Sequence, residues 1–227
     1  LFADTTDNPA TESLVQRSEI SIIDYTGGSE FGNWVEANAG NAVVYTEKSG
    51  INSIIIDSVE DMRAVSGNIG FSLCLYSGQM CTTPQNIFIP RDGIETSEGS
   101  LSFEDVAASI VKSVDWMLSD PARASEVLGA IQNPVTAERV DDASGTVLRD
   151  SEPVAHEMFS DARTRSIKII QLDASDSKEY EKEMFGPVVY IIATDSTDQS
   201  IALASSIATQ HGAISCSVYG TNQDNLD

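Results

Sequence analysis

Cysteine, histidine and basic residues are all scarce in this sequence of 227 residues. Cys74, Cys81 and Cys216 make an odd set with no CxxC pair. That argues against a disulfide scaffold and predicts a cytoplasmic chain. The two histidines, His156 and His211, form neither HExxH nor a finger-like spacing with cysteine, so no metal site is expected. Only 13 basic residues face 35 acidic ones, for a formal net charge of −22. Such a chain lacks the electrostatic footprint for nucleic acid or an anionic membrane surface. No apolar run approaches the ~20 residues of a membrane span. The opening LFADTTDNPATESL has neither a basic n-region nor an apolar h-region, so no signal peptide is expected. It also lacks an initiator Met, and the start reads as a cut. No G-x-S-x-G elbow is present, which argues against a serine hydrolase.

What is present is globular. Hydrophobic residues make up 41% and charged residues 21%, on a chain long enough for one or two domains. Short apolar runs alternate with helical spacings. SIIDY, NAVVYTE, NSIIID, QNIFIP, IKIIQL, PVVYIIATD and AISCSVYG read as strands. Helices are predicted over 29–39 with Ser29 near the N-cap, over 60–75, 103–118 and 196–210, and from Pro121 to about Ile131. The stretch from Arg91 to Ser100 reads as a polar surface loop. Buried strands alternating with helices predict an α/β fold with a mostly parallel sheet flanked by helices.

The stretch YSGQMCTTPQNIFIP, Tyr76 to Pro90, carries the most chemistry. A predicted helix ends at Ser77-Gly78-Gln79, then Cys81, two threonines and a proline lead into a buried strand. A cysteine on such a loop can meet a substrate, and its small polar neighbours would not smother a thiolate. Composition alone leaves Cys81 open between a reactive and a structural role. Cys74, in the apolar FSLCLY, and Cys216, within AISCSVY, read as small buried hydrophobes.

GQMCTTPQNIFIP resembles the active-cysteine segment of the aldehyde dehydrogenase superfamily. YTEKSGINSIIID resembles the family's Glu-Leu-Gly-Gly-Lys-Asn/Ser-Pro segment and places Glu47 on the general-base glutamate. EMFGPVVYII resembles the Glu-x-Phe-Gly-Pro-Val signature and places Glu183 and Phe185 where the family meets the nicotinamide end of its cofactor. DYTGGSEFG resembles the Phe-Thr-Gly-Ser turn of the cofactor domain, with Gly27, Gly28 and Ser29 toward the pyrophosphate. The four stretches occur in the family's order, and 34 positions separate Glu47 from Cys81, a separation like the family's. A closer resemblance is to the branch of phenylacetic acid degradation (PaaN-type), in YTEKSGINS, FSLCLYSGQMCTTPQNIFIPRDGI and ATDST.

The resemblance implies oxidation of an aldehyde to an acid with NAD or NADP, through a thioacyl intermediate on Cys81 and hydrolysis assisted by Glu47. In that branch the aldehyde arises when a CoA-activated ring opens. The Cys81 N–H would be one oxyanion donor; the other, an upstream Asn, is missing from the chain. The resemblance also implies residues 1–40 as the end of a cofactor-binding domain and 41–227 as a catalytic domain cut before the family's C-terminal segment. It further implies a small aldehyde, or one that is a CoA thioester, as partner and a homo-oligomer for the full-length enzyme, with the fragment itself inactive. Lys48-Ser49-Gly50 departs from the usual Leu-Gly-Gly, which leaves the loop beside Glu47 and the acyl acceptor open. A CoA-acylating relative and a non-catalytic module on the same scaffold are the alternatives; retention of Glu47 argues for hydrolysis over acylation.

Overall fold

The computed structural model describes residues 10–48 and 50–221. The chain divides into two compact units, 1–50 and 51–227. The boundary expected between residues 40 and 41 falls inside the first of these.

The first unit is a strand–helix–strand crossover. It contains α1 (Thr11–Val15), β1 (Ile22–Gly27), α2 (Ser29–Asn38) and β2 (Val43–Lys48). β1 and β2 pair in parallel from Ile22↔Val43 to Gly27↔Lys48. Alternation along β2 turns Val44, Thr46 and Lys48 inward and leaves Val43, Tyr45 and Glu47 exposed. Val15, Val35 and Ala39 form a small core, with Phe31 stacked on Trp34 at 5.4 Å.

The second unit is a three-layer α/β sandwich. Its strands are β3 (Asn52–Ile56), β4 (Ser58–Val59), β5 (Pro84–Pro90), β6 (Ile94–Thr96), β7 (Gly99–Leu101), β8 (Thr146–Arg149), β9 (Lys168–Asp173), β10 (Val188–Thr194) and β11 (Cys216–Tyr219). Its helices are α3 (Met62–Cys74), α4 (Phe103–Leu118), α5 (Pro121–Val127), α6 (Pro134–Asp142), α7 (Ser177–Tyr180) and α8 (Thr197–His211). The main sheet runs β11-β3-β5-β10-β9-β8, parallel throughout except for the antiparallel β8. β3 and β10 are buried along their whole length, as a sheet covered on both faces requires. Side chains alternate between two cores. Ile54, Ile87, Ile89 and Ile191 pack with Ile69 and Leu73 of α3 and Ile110 of α4. Ile55, Phe88, Tyr190 and Ile192 pack with Val140, Tyr180 and Ile207.

The starts of α3, α4, α5, α6 and α8 carry side-chain caps. Asp61 accepts from the N–H groups of Arg63 and Ala64, and Ser102 and Asp105 form a reciprocal capping box. Two expectations are corrected and one helix start is sharpened. The stretch from Arg91 to Ser100 is not only a loop: Ile94 is buried and pairs with Leu101, making the β6–β7 hairpin, which turns at Ser97-Glu98 and re-enters the sheet at Gly99 with φ +118°. The start expected for α2 near Ser29 is as observed: Gly28 is the cap, with extended backbone (φ −67°, ψ 151°), and Ser29 is the first helical residue. Cys216 is exposed, because β11 is the edge strand. Among the described residues no helix is long and apolar enough to cross a membrane, and no cluster of three His, Cys, Asp or Glu side chains could hold a metal.

Candidate active site

Cys81 owes its position to an abrupt helix end. After Cys74 the chain tightens into a 3₁₀ turn, Leu75–Gly78. Tyr76 (φ 52°), Ser77 (φ 56°) and Gly78 (φ 69°) are then all left-handed. Two non-glycine residues in that region cost about 1–3 kcal/mol each and persist only where the surroundings hold them. Here Ser77 is fully buried and its Oγ donates to the Gly129 carbonyl at 3.0 Å. Gln79 adds a donor from Nε2 to the Tyr76 carbonyl at 3.0 Å. The turn delivers Cys81 to an exposed loop just before β5. The other thiol of this region, Cys74, is fully buried, and burial pushes it up to about 12, so it carries no thiolate near neutrality.

Two of the expected signatures come together here. A Cβ on Gly78 would run into the Gly186 carbonyl, so the Gly-Gln-Met-Cys and Glu-Met-Phe-Gly-Pro segments touch backbone to backbone. Gln85, four residues past Cys81, takes hold of the second segment. Its Oε1 accepts from Met184 N at 2.7 Å and its Nε2 donates to the Lys182 carbonyl at 3.0 Å. These bonds fall on either side of Glu183. Arg139 Nη1 donates to the Phe185 carbonyl at 3.1 Å. Glu183 and Phe185 are both half-buried. The Cys81 and Glu183 loops enter adjacent parallel strands, β5 and β10, at the same edge of the sheet.

A cleft of about 260 Å³ lies beside the cysteine loop, lined by Met80, Thr82, Thr83, Ser53, Ser215 and Tyr219 among others. Its walls mix hydroxyls with apolar groups. Ser53 Oγ and Thr83 Oγ1 are buried without a hydrogen-bond partner.

In the first unit, Glu47 and the glycine turn are neighbours at the carboxyl ends of a parallel pair. Glu47 stands opposite Thr26, and Lys48 opposite Gly27. Lys48 points the other way, to α2: its Nζ donates to Asn33 Oδ1 and Glu36 Oε1, both at 2.8 Å. Ser49, the middle residue of the departure from Leu-Gly-Gly, lies outside the described residues. The cap residue of α2, Gly28, has no side chain to offer the helix start, and a Cβ on it would meet nothing within 4 Å. A helix start whose cap is an open glycine fits the pyrophosphate of a dinucleotide. Glu30 in the same turn opposes an anion, so the fit rests on the backbone.

Some site-shaping residues were not legible from sequence. Asn52 looked like the first residue of a buried strand; the one signal was a polar side chain heading NSIIID. Gln85 and Arg139 gave none, because their work is on carbonyls remote in sequence.

The comparisons agree on one family. A profile of the aldehyde dehydrogenase family matches residues 4–226. The chain is 26% identical over 201 residues to N-succinylglutamate 5-semialdehyde dehydrogenase of Burkholderia vietnamiensis, covering 86% of the chain and 40% of that protein. It is 22% identical to aldehyde dehydrogenase family 7 member B4 of Arabidopsis thaliana, over 95% of the chain and 41% of that protein. The crystal structure of an NAD-dependent aldehyde dehydrogenase from Burkholderia multivorans matches with a TM-score of 0.93 at 49% identity, covering 97% of the chain and 40% of that structure. The chain thus spans about two fifths of the length of the relatives it matches. With its α/β fold and its profile match over nearly every residue, the chain belongs to the aldehyde dehydrogenase family.

Proposed function

We propose that this chain carries the nucleophile of an enzyme that oxidises an aldehyde to a carboxylic acid with NAD or NADP. The observation that carries the reading is the exposed Cys81 on a loop braced against the Glu183 segment. The similar Burkholderia multivorans structure is that of an NAD-dependent enzyme.

The chemistry asks for a group that adds to a carbonyl and later leaves, and a thiolate does both. Cys81 Sγ bonds to the aldehyde carbon, and the negative charge moves to the carbonyl oxygen. The Cys81 N–H is the donor nearest that oxygen in chain terms, and a fixed donor stabilises the charge as it develops. NAD or NADP, when bound, supplies the acceptor for the hydride that leaves this carbon. Gly27, Gly28 and Ser29 would hold the pyrophosphate, and Glu183 and Phe185 the nicotinamide end. The C–S bond of the resulting thioester then breaks as water adds, with Glu47 taking the proton from that water. Residues 1–40 act in this reading as part of the cofactor-binding domain, and 41–227 as the catalytic domain.

The finer reading follows the segments YTEKSGINS and FSLCLYSGQMCTTPQNIFIPRDGI: the substrate is the ring-opened aldehyde of phenylacetic acid degradation, itself a CoA thioester. The enzyme works as a cytoplasmic homo-oligomer. The test is to follow reduced-cofactor absorbance in the protein that carries this chain, with a panel of aldehydes, both cofactors, and CoA present or absent. Turnover without CoA, abolished by Cys81→Ala, is expected. Near-normal turnover in Cys81→Ala overturns the assignment.

A further inference from the structure

Three successive carbonyls of the cysteine loop are held by side chains from elsewhere in the chain. Asn52 Nδ2 donates to the Cys81 carbonyl at 2.7 Å and to the Thr83 carbonyl at 3.1 Å. Between them, Ser215 Oγ donates to the Thr82 carbonyl at 3.2 Å. The same Asn52 accepts on Oδ1 from Ile214 N and Ser215 N, both at 2.9 Å. A carboxamide offers two donor hydrogens and two acceptor lone pairs, and all four are engaged. Asn52 is 2% exposed, so these bonds face little competition from water.

The arrangement exceeds what folding β3 demands. Asn52 opens β3, where an apolar residue would serve the core, as Ile54 and Ile56 do. Its amide instead joins the lead into β11 to the loop before β5, on either side of β3. Within the loop, Thr83 N donates to the Met80 carbonyl at 3.0 Å, so the whole turn from Met80 to Thr83 is fastened. Cys81 is thereby exposed and yet fixed by its own carbonyl.

We propose that Asn52, seconded by Ser215, is the positioning residue that sets the attack geometry of Cys81. This rests on the reading of Cys81 as the nucleophile. A small displacement of a reacting atom lowers a rate far more than it weakens binding. Released carbonyls would let the loop turn the thiol toward the hydroxyl-lined cleft beside it.

The test compares Asn52→Ala, Asn52→Asp and Ser215→Ala in the protein that carries this chain, with kcat counted per reactive site. Asn52→Asp keeps both acceptor positions for Ile214 and Ser215 but removes both donors to the loop. Ser215→Ala removes only the Thr82 bond, at a half-exposed position, so its fold is secure. The Asn52 variants should lose about tenfold or more in kcat with KM within about twofold, and Ser215→Ala a few-fold. Alongside, iodoacetamide alkylation of Cys81, located by peptide mass spectrometry, should slow by about threefold or more in the Asn52 variants. A kcat and an alkylation rate equal to wild type in the folded variants overturn the proposal. If neither Asn52 variant folds, an unchanged kcat and alkylation rate in Ser215→Ala overturn it. Cys81→Ser separates the two readings. Retained turnover there sinks the nucleophile assignment while the alkylation rates still judge the clamp.

Discussion

Gln85 Oε1 accepts the N–H of Met184 at 2.7 Å across 99 positions of sequence. That bond joins the strand leaving Cys81 to the segment holding Glu183. Gln85 is 6% exposed, and its Nε2 also donates to the carbonyls of Lys182 and Tyr180. Gln85→Ala leaves the Met184 N–H without its acceptor in a buried setting, at about 1–3 kcal/mol, while the Tyr180 carbonyl keeps Asn86 Nδ2 at 3.0 Å. Tm should fall by several degrees. If Glu183 meets the cofactor, KM for NAD or NADP should rise more than KM for the aldehyde. Titration of initial rates against each substrate measures the difference, and equal changes would detach Glu183 from the cofactor.

Two glycines should respond in opposite directions. Gly78 has φ +69°, and a Cβ there would enter the Gly186 carbonyl. Gly78→Ala must therefore move the backbone that joins the two signatures, at a cost of about 2 kcal/mol or more. Gly67 is exposed within α3 and a Cβ there meets nothing within 4 Å. Gly67→Ala should stabilise by about 0.5–1 kcal/mol through helix propensity alone. Denaturant unfolding of both variants checks the pair; a neutral Gly78→Ala would show that the contact is slack.

Much of this fold could be read from pattern. The central strands β3, β5, β9 and β10 are short apolar runs because both their faces are buried, and α4 spans the predicted Phe103–Leu118 because its apolar period and Ser102 cap agree. What escaped has weak local signal. α6 depends on Asn133 accepting from Val135 N and on Pro134, within a polar stretch. β8 is a short edge strand with half its residues exposed. The turn at Tyr76 and Ser77 needs left-handed backbone at two residues whose types do not ask for it, and the requirement comes from Gly129 and Gly186. The exposure of Cys81 was legible from its small polar neighbours between a glycine turn and a strand, whereas the contacts of Asn52 were not, because its four partners converge only after folding.

Alkali should weaken the fold through three buried groups. Burial pushes Cys74 up from 9.0 to about 12, and Tyr180 and Tyr190 up from 10.0 to about 12. Each stays protonated in the native state while its unfolded counterpart ionises. The native state then binds more protons than the unfolded one, so stability falls as pH rises. It is intact below about pH 9, declines first through Cys74, and declines more steeply above pH 10 as both tyrosines join. Each group contributes a slope of at most about 1.4 kcal/mol per pH unit. Cys74→Ala should lower Tm at neutral pH yet flatten its fall between pH 9 and 10. A wild-type slope in that variant would assign the alkaline loss to other groups.

Glu47 offers the sharpest test of the hydrolytic half of the reaction. It lies on the exposed face of β2, while the next residue, Lys48, is turned to α2 and held by Asn33 and Glu36. The lysine thus fastens the strand end through its other face and does not compete for the carboxylate. Glu47→Gln keeps shape and exposure but removes the base of the proposed mechanism. Formation of the thioester needs no base at that position, whereas its hydrolysis does. The variant should therefore release a burst of about one reduced cofactor per site and then stall with Cys81 acylated. Rapid mixing gives the burst amplitude, and mass spectrometry of the stalled protein locates the adduct. Hydroxylamine, which attacks thioesters without a general base, should restore turnover. Steady-state rates equal to wild type would remove Glu47 from the mechanism and leave water activation to another group.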